Sequence, residues 1–249
     1  VVNTGATSGE RASRLEALRR QAGDCQLCPQ LVANRSQVVF GVGDPDADLM
    51  LIGEAPGASE DRDGTPFVGA SGKLLDRLLC GIGIAREEVY VANVLGCHPP
   101  DNRDPRADEI ANCSQFLRGQ VELVAPVVVV TLGNFATKLL RDDDQGISLI
   151  HGQAELCAFG ERTVWLYPVF HPAAALYRRP NLELLREDFA RLPQLLGGPP
   201  PQQGVASDPG KGPGAMAPAE PAPLLQREPA RKSKPHSKGS DDAPQLDLF

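Results

Sequence analysis

The residues with the most chemical potential in this chain are its cysteines. Cys25 and Cys28 form a C-x2-C pair, Cys97 follows an apolar run, and Cys113 lies further on within a helical pattern. Four thiolates of this kind close a tetrahedral zinc site or carry an iron–sulfur cluster, and spacing leaves both open. Cys80 and Cys157 sit in apolar surroundings and read as buried free thiols, which behave as small hydrophobes. A second group consists of short segments in which polar residues stand beside Gly or Pro: Gly53-Glu54-Ala55-Pro56-Gly57, Gly96-Cys97-His98-Pro99-Pro100, Gly133-Asn134 and His171-Pro172-Ala173. They bring a carboxylate, imidazoles and an amide to segment ends, the groups that acid–base chemistry and polar recognition require. Gly69-Ala70-Ser71-Gly72-Lys73 looks like a phosphate cradle, but Lys73 is followed by Leu74, so the G-x-x-x-x-G-K-[ST] pattern fails and nucleotide hydrolysis is rejected. A helix start there, with Lys73, still suits a single nucleic-acid phosphate.

Each of the four segments follows a short apolar run: Leu49–Ile52, Val89–Val94, Val127–Leu132 and Val164–Phe170. Their length and their β-branched and aromatic residues predict buried strands. Helical patterns lie between them, over Gly72–Gly81, Ala107–Leu123 and Asn134–Arg141. This alternation predicts an α/β fold with a largely parallel four-stranded sheet, whose ligands bind beyond the carboxyl ends of the strands. The four polar segments fall at those ends.

The chain has 249 residues, 41% of them hydrophobic, and a formal net charge of −7. No apolar run suits a membrane span or a secretory leader, so the expectation is a cytoplasmic monomer in a reducing compartment. An acidic total argues against a general nucleic-acid binder, but a local basic patch suffices to grip a few nucleotides. Lys73, Arg77, Arg103, Arg106, Arg178 and Arg179 are candidates for one. Val1 to Glu10 is polar and small, and Arg11–Gln21 predicts a short helix; the expected division is a disordered stretch over 1–14 and a folded domain over 15–196. From Gly197 onward Gly, Pro, Ala, Gln and charges dominate, which predicts a disordered tail over 197–249.

In order along the chain, Cys25-x2-Cys28, Val39-Phe40-Gly41, Gly53-Glu54-Ala55-Pro56-Gly57 with Glu60-Asp61, Pro66-Phe67-Val68-Gly69, Asn93, Cys97-His98-Pro99-Pro100-Asp101-Asn102-Arg103, Cys113 and His171-Pro172 resemble the family 4 uracil-DNA glycosylases. The resemblance runs from about Gly23 to Leu192. It implies a three-layer α/β/α sandwich, removal of uracil from DNA, and a [4Fe-4S] cluster of structural role held by Cys25, Cys28, Cys97 and Cys113.

It also implies roles. A glycosylase turns its nucleotide out of the stack, recognises the base, stabilises the departing uracil anion and presents water to the sugar. Asn93 suits recognition, because one fixed amide complements both O4 and N3–H of uracil and rejects cytosine. Taken alone, Asn93 would merely satisfy a strand end, and Phe67 would be a core residue rather than a stacking platform. His171 suits stabilisation of negative charge on O2. Water activation is left between Glu54 and Glu60, because Ala55 stands where related enzymes place an aspartate; Glu60 is alternatively the group that excludes the thymine methyl. Ala55 and Pro56 complete the expected uracil contacts. Leu176 and Tyr177 suit a wedge that fills the vacated stack, with Arg178, Arg179 and Lys73 on the backbone. No histidine follows His171 before the tail, which disfavours the covalent-trapping variant of this family. The rival readings are a silent nucleic-acid-binding module and an electron-transfer iron–sulfur protein. Finally, Gln245-Leu246-Asp247-Leu248-Phe249 looks like the pentapeptide that binds the bacterial sliding clamp, which implies recruitment to DNA in the nucleoid.

Overall fold

The computed structural model describes residues 7–160 and 162–203. In chain order these form α1 (Ser8–Gly23), α2 (Pro29–Asn34), β1 (Val42–Gly43), β2 (Leu49–Gly53), α3 (Ala58–Asp63), α4 (Ala70–Gly81), β3 (Tyr90–Asn93), α5 (Ala107–Val124), β4 (Val128–Leu132), α6 (Asn134–Arg141), α7 (Ile147–Ile150), β5 (Glu155–Phe159), β6 (Arg162–Val169), α8 (Pro172–Tyr177) and α9 (Arg179–Leu196). The sheet order is β1-β3-β2-β4-β6-β5. The inner four strands are parallel, and each edge strand is antiparallel to its neighbour.

Alternation within the buried strands builds two cores. Met50, Ile52, Ala92 and Val129 face one side, where Leu15, Leu117, Val121 and Leu140 of α1, α5 and α6 cover them. Leu49, Leu51, Val91, Val128 and Val130 face the other, against Leu75 and Leu79 of α4 and Leu185, Phe189 and Leu192 of α9. Because both faces are covered, the strands read as continuous apolar runs rather than alternating ones. The result is the expected three-layer α/β/α sandwich. Among the described residues, no helix is long and apolar enough to cross a membrane.

The sheet has six strands, not four. The two-residue β1 is too short to leave a periodic pattern, and the apolar stretch Leu156–Phe159 of the edge strand β5 is too short for periodicity to tell strand from helix. The first helix starts at Ser8, ahead of the expected boundary at Leu15. Thr7 and Glu10 form a capping box: the Glu10 N–H donates to Thr7 Oγ1 (3.3 Å) and the Thr7 N–H to Glu10 Oε2 (2.7 Å). The boundary at 197 also moves outward, because Gln203 donates to the Thr163 carbonyl (2.9 Å) and accepts from the Thr163 N–H (3.0 Å). Cys80 is exposed, contrary to the buried-thiol reading, whereas Cys157 is buried. Cys80 is near the end of α4 on the face turned from the sheet. Residues 204–249, including the terminal pentapeptide, lie outside the described residues.

Candidate active site

Parallel pairing of β2 with β3 puts Gly53 directly beside Asn93 at the carboxyl ends of both strands. A Cβ on Gly53 would stand 2.5 Å from Asn93 Oδ1 and 2.6 Å from Phe67 Cζ, so glycine is what lets the amide and the ring converge. Gly133 does the same service after β4. Its φ of +95° is a glycine conformation, and a Cβ there would meet His171 Cβ at 2.9 Å.

Glu54, Ala55, Pro56, Glu60, Phe67, Asn93 and His171, all seven expected uracil contacts, line one cavity of about 350 Å³, with Gly57, Ser71, Pro99, Asn102, Arg103 and Ala173. The size falls in the small-ligand range. Asn93 is 8% exposed, and its Oδ1 is buried with no hydrogen-bond partner. An orphaned buried acceptor is costly, so it marks a place where a ligand donor is expected. Phe67 and His171 flank the cavity, their ring centroids 5.8 Å apart.

His171 caps α8. Its Nδ1 accepts the Ala173 N–H at 3.0 Å, which leaves the proton on Nε2. Burial pushes its pKa down to about 4, opposed by the charge of Glu60, so the ring is a neutral donor at physiological pH. Glu54 is shifted the other way: burial raises its carboxyl above the usual range, and Asp104 adds to this. Glu60 is committed to the scaffold, since its Oε1 accepts the N–H groups of Val68 (3.1 Å) and Gly69 (2.9 Å). Those bonds fix the loop in which Phe67 adopts a φ of +58°, unusual for a bulky residue. Gly72 completes the fit, because a Cβ there would collide with the Phe67 carbonyl. Neither the Glu60 clamp nor the left-handed Phe67 has a sequence signal beyond the motif itself.

A second cavity, of about 590 Å³, shares Glu54 and His171 but is lined by Asp104, Asp142, Asp143 and Asp144 with Lys138. On the α8 side, Tyr177 is 89% exposed and Leu176 39% exposed, with Arg178 and Arg179 exposed beside them; Lys73 is exposed on α4. Three members of the expected basic patch are engaged within the protein, Arg77 through a bond from its Nε to the Lys73 carbonyl (3.2 Å). Arg103 makes a two-pronged pair with the buried Glu109 (2.6 and 2.9 Å), and Arg106 donates to Gln30 (2.6 Å).

The four cysteines gather beneath this site, close enough that Cys25, Cys28 and Cys97 each influence Cys113. Cys25, Cys97 and Cys113 share an apolar cavity with Val38, Val39, Phe116 and Leu117. Three N–H donors are aimed at sulfur: Arg35 Nη1 at Cys97 (3.2 Å), the Gly96 backbone at Cys113 (3.3 Å) and Asn112 Nδ2 at Cys28 (3.4 Å). Among the described residues, no three His, Cys, Asp or Glu side chains converge as a single metal ion requires.

A family model described as the uracil DNA glycosylase superfamily matches residues 40–192. The chain belongs to this superfamily. Within the superfamily, it is 40% identical over 187 residues to a type-4 uracil-DNA glycosylase of Sulfurisphaera tokodaii, covering 73% of this chain and 84% of that protein. A type-4 uracil-DNA glycosylase of Archaeoglobus fulgidus is 39% identical over 188 residues (74% and 94%), and one of Thermotoga maritima is 39% identical over 172 residues (69% and 88%). The superfamily match begins at Phe40 and ends at Leu192, so it contains every residue of the cavity and does not reach Cys25 and Cys28.

Proposed function

We infer that this protein hydrolyses the N-glycosidic bond of deoxyuridine in DNA, releasing uracil and leaving an abasic site for base excision repair. The observation that carries this reading is the unpartnered, buried Oδ1 of Asn93, a residue that lines a base-sized cavity with Phe67 and His171. With uracil turned into that cavity, Asn93 Oδ1 accepts N3–H and Nδ2 donates to O4, while Phe67 stacks on the ring. As the C1′–N1 bond breaks, its electron pair passes to the base, and the His171 Nε2–H donates to O2, where the charge collects. Water attacks C1′ and its proton passes to Glu54. Glu54 is assigned this role because Glu60 already spends an oxygen on two backbone donors. An elevated carboxyl pKa suits a general base.

The acidic lining of the neighbouring cavity repels phosphates, so the strand runs past α8, where Tyr177 and Leu176 wedge the stack and Arg178, Arg179 and Lys73 hold the backbone. The four thiols and the three donors aimed at sulfur fit a [4Fe-4S] cluster on Cys25, Cys28, Cys97 and Cys113. When bound, the cluster supplies cross-linking between α2, the loop after β3 and α5, and no chemical step. Gln245, Leu246, Asp247, Leu248 and Phe249 recruit the enzyme to a bacterial sliding clamp in the cytoplasm, at the nucleoid. Incubation of the purified protein with defined oligonucleotides tests the central reading. Free uracil and an alkali-labile site from a U-containing strand support it, and no release from single- or double-stranded substrate overturns it.

A further inference from the structure

Asp61 is a carboxylate on α3 that the proposed chemistry does not use, yet it is only 5% exposed. Both of its oxygens lie against the Ser36 N–H, at 2.9 and 3.1 Å. The preceding residue, Arg35, reaches in the opposite direction. Its guanidinium donates to Cys97 Sγ (3.2 Å) and to the Cys25 carbonyl (2.8 Å). On the other side of Asp61, the adjacent Glu60 holds the Val68 and Gly69 N–H groups and so the strained Phe67 backbone. Arg35 on one segment therefore grips the cysteine layer, and Glu60 on the other grips the base-stacking loop. The contact of the Ser36 N–H with the Asp61 carboxylate joins the two segments, and one residue further along Gln37 Nε2 donates to the Arg62 carbonyl (2.9 Å).

We propose that Arg35-Ser36 and Glu60-Asp61 form a strut that sets the position of Phe67 from the cysteine layer, with Arg35 and Asp61 as positioning residues for the stacked base. Neither touches the substrate; each acts through Phe67. A carboxylate is suited to the junction because it accepts a backbone donor while buried, and loss of one partner would leave the Ser36 N–H unsatisfied. An amide keeps an acceptor oxygen in the same place, so Asp61→Asn preserves the strut and Asp61→Ala removes it.

The inference rests on the uracil-release reading, and the test separates the two. Competitive inhibition by free uracil, KM and kcat on a U-containing single strand, and bound iron and sulfide are measured for the wild type, D61A, D61N, R35M and the R35M/D61A pair. Because the strut governs stacking, D61A and R35M should each raise the inhibition constant for uracil and KM by ~10-fold, the scale of one base–aromatic stack. kcat should stay within ~3-fold and iron content should be unchanged. D61N should restore both constants, and the double variant should be no worse than the poorer single one, as expected for residues acting through one element. Wild-type uracil inhibition in D61A and R35M, or fully multiplicative effects in the pair, overturns the strut. If D61A does not fold, R35M and D61N carry the same comparison. A wild type that neither releases nor binds uracil overturns the functional reading instead.

Discussion

His171 joins two roles that substitution can separate. As the cap of α8 it accepts a backbone N–H, and as an imidazole it offers Nε2–H to the cavity. His171→Asn keeps a capping acceptor, whereas His171→Ala loses it at a cost of ~1 kcal/mol. Both should lower single-turnover uracil release by ~10²-fold or more, as loss of a donor to a developing anion does. Only the alanine variant should also melt measurably earlier. The pH dependence follows from the direction of the shift. The folded pKa of about 4 lies below the ordinary 6.5, so between those values the unfolded chain binds a proton that the folded one does not. His171 therefore contributes full stability above pH 6.5 and progressively less as pH falls toward 4. Catalytically, kcat/KM should show no His171 limb near 6.5, and a wild-type profile breaking there that H171N abolishes would refute the neutral-donor assignment. Asn93→Ala should reduce release by a similar ~10²-fold while leaving the melting temperature nearly unchanged, because the atom removed has no partner inside the protein.

Two elements turn strand ends into a site. β2 stops at Gly53, where any side chain would press on Asn93 and Phe67. Gly53→Ala should therefore overpack the cavity, costing ~1–3 kcal/mol of stability and more in uracil affinity than in global stability. Comparison of the melting temperature with the inhibition constant for free uracil checks this. α8 presents Tyr177 almost fully to solvent. Tyr177→Ala should shift stability by no more than ~0.5 kcal/mol. It should slow release from duplex substrate while sparing single strands, in which no stack has to be refilled. Equal losses on both substrates would place Tyr177 outside the wedge.

For the molecule as a whole, the four cysteines come from segments far apart in sequence: the connection from α1 to α2, the loop after β3 and the body of α5; a cluster on them would tie these together. Purified protein should be yellow-brown, and Cys113→Ala should lose iron, colour and thermal stability together. Stoichiometric zinc in colourless, anaerobically purified wild type would refute the cluster. Deletion of Gln245–Phe249 should abolish binding to a bacterial clamp while leaving uracil release from short oligonucleotides unchanged, since a docking peptide of this kind would raise effective concentration rather than touch the reaction.

The inner sheet was legible because burial on both faces writes each parallel strand as an unbroken apolar run, and Gly or Pro beside polar residues marked the carboxyl ends. From that pattern alone the location of the chemistry follows. The motifs point to Glu54, Asn93 and His171, and the Thr7-x-x-Glu10 capping signature of the first helix stands in the sequence. Edge strand β1 is two residues long and has no period, and the apolar stretch Leu156–Phe159 of β5 is too short for periodicity to name it strand or helix. The tertiary structure alone shows that Glu60, which lines the cavity together with Glu54, also braces the loop that carries Phe67. Glu54 and Glu60 are chemically equivalent in the sequence, and only the folded backbone places the Val68 and Gly69 N–H groups within reach of Glu60. The same holds for Asp61, Ser36 and Arg35: hydrogen bonds between residues distant in the chain depend on relative placement to within a few tenths of an ångström, which residue type and spacing do not encode.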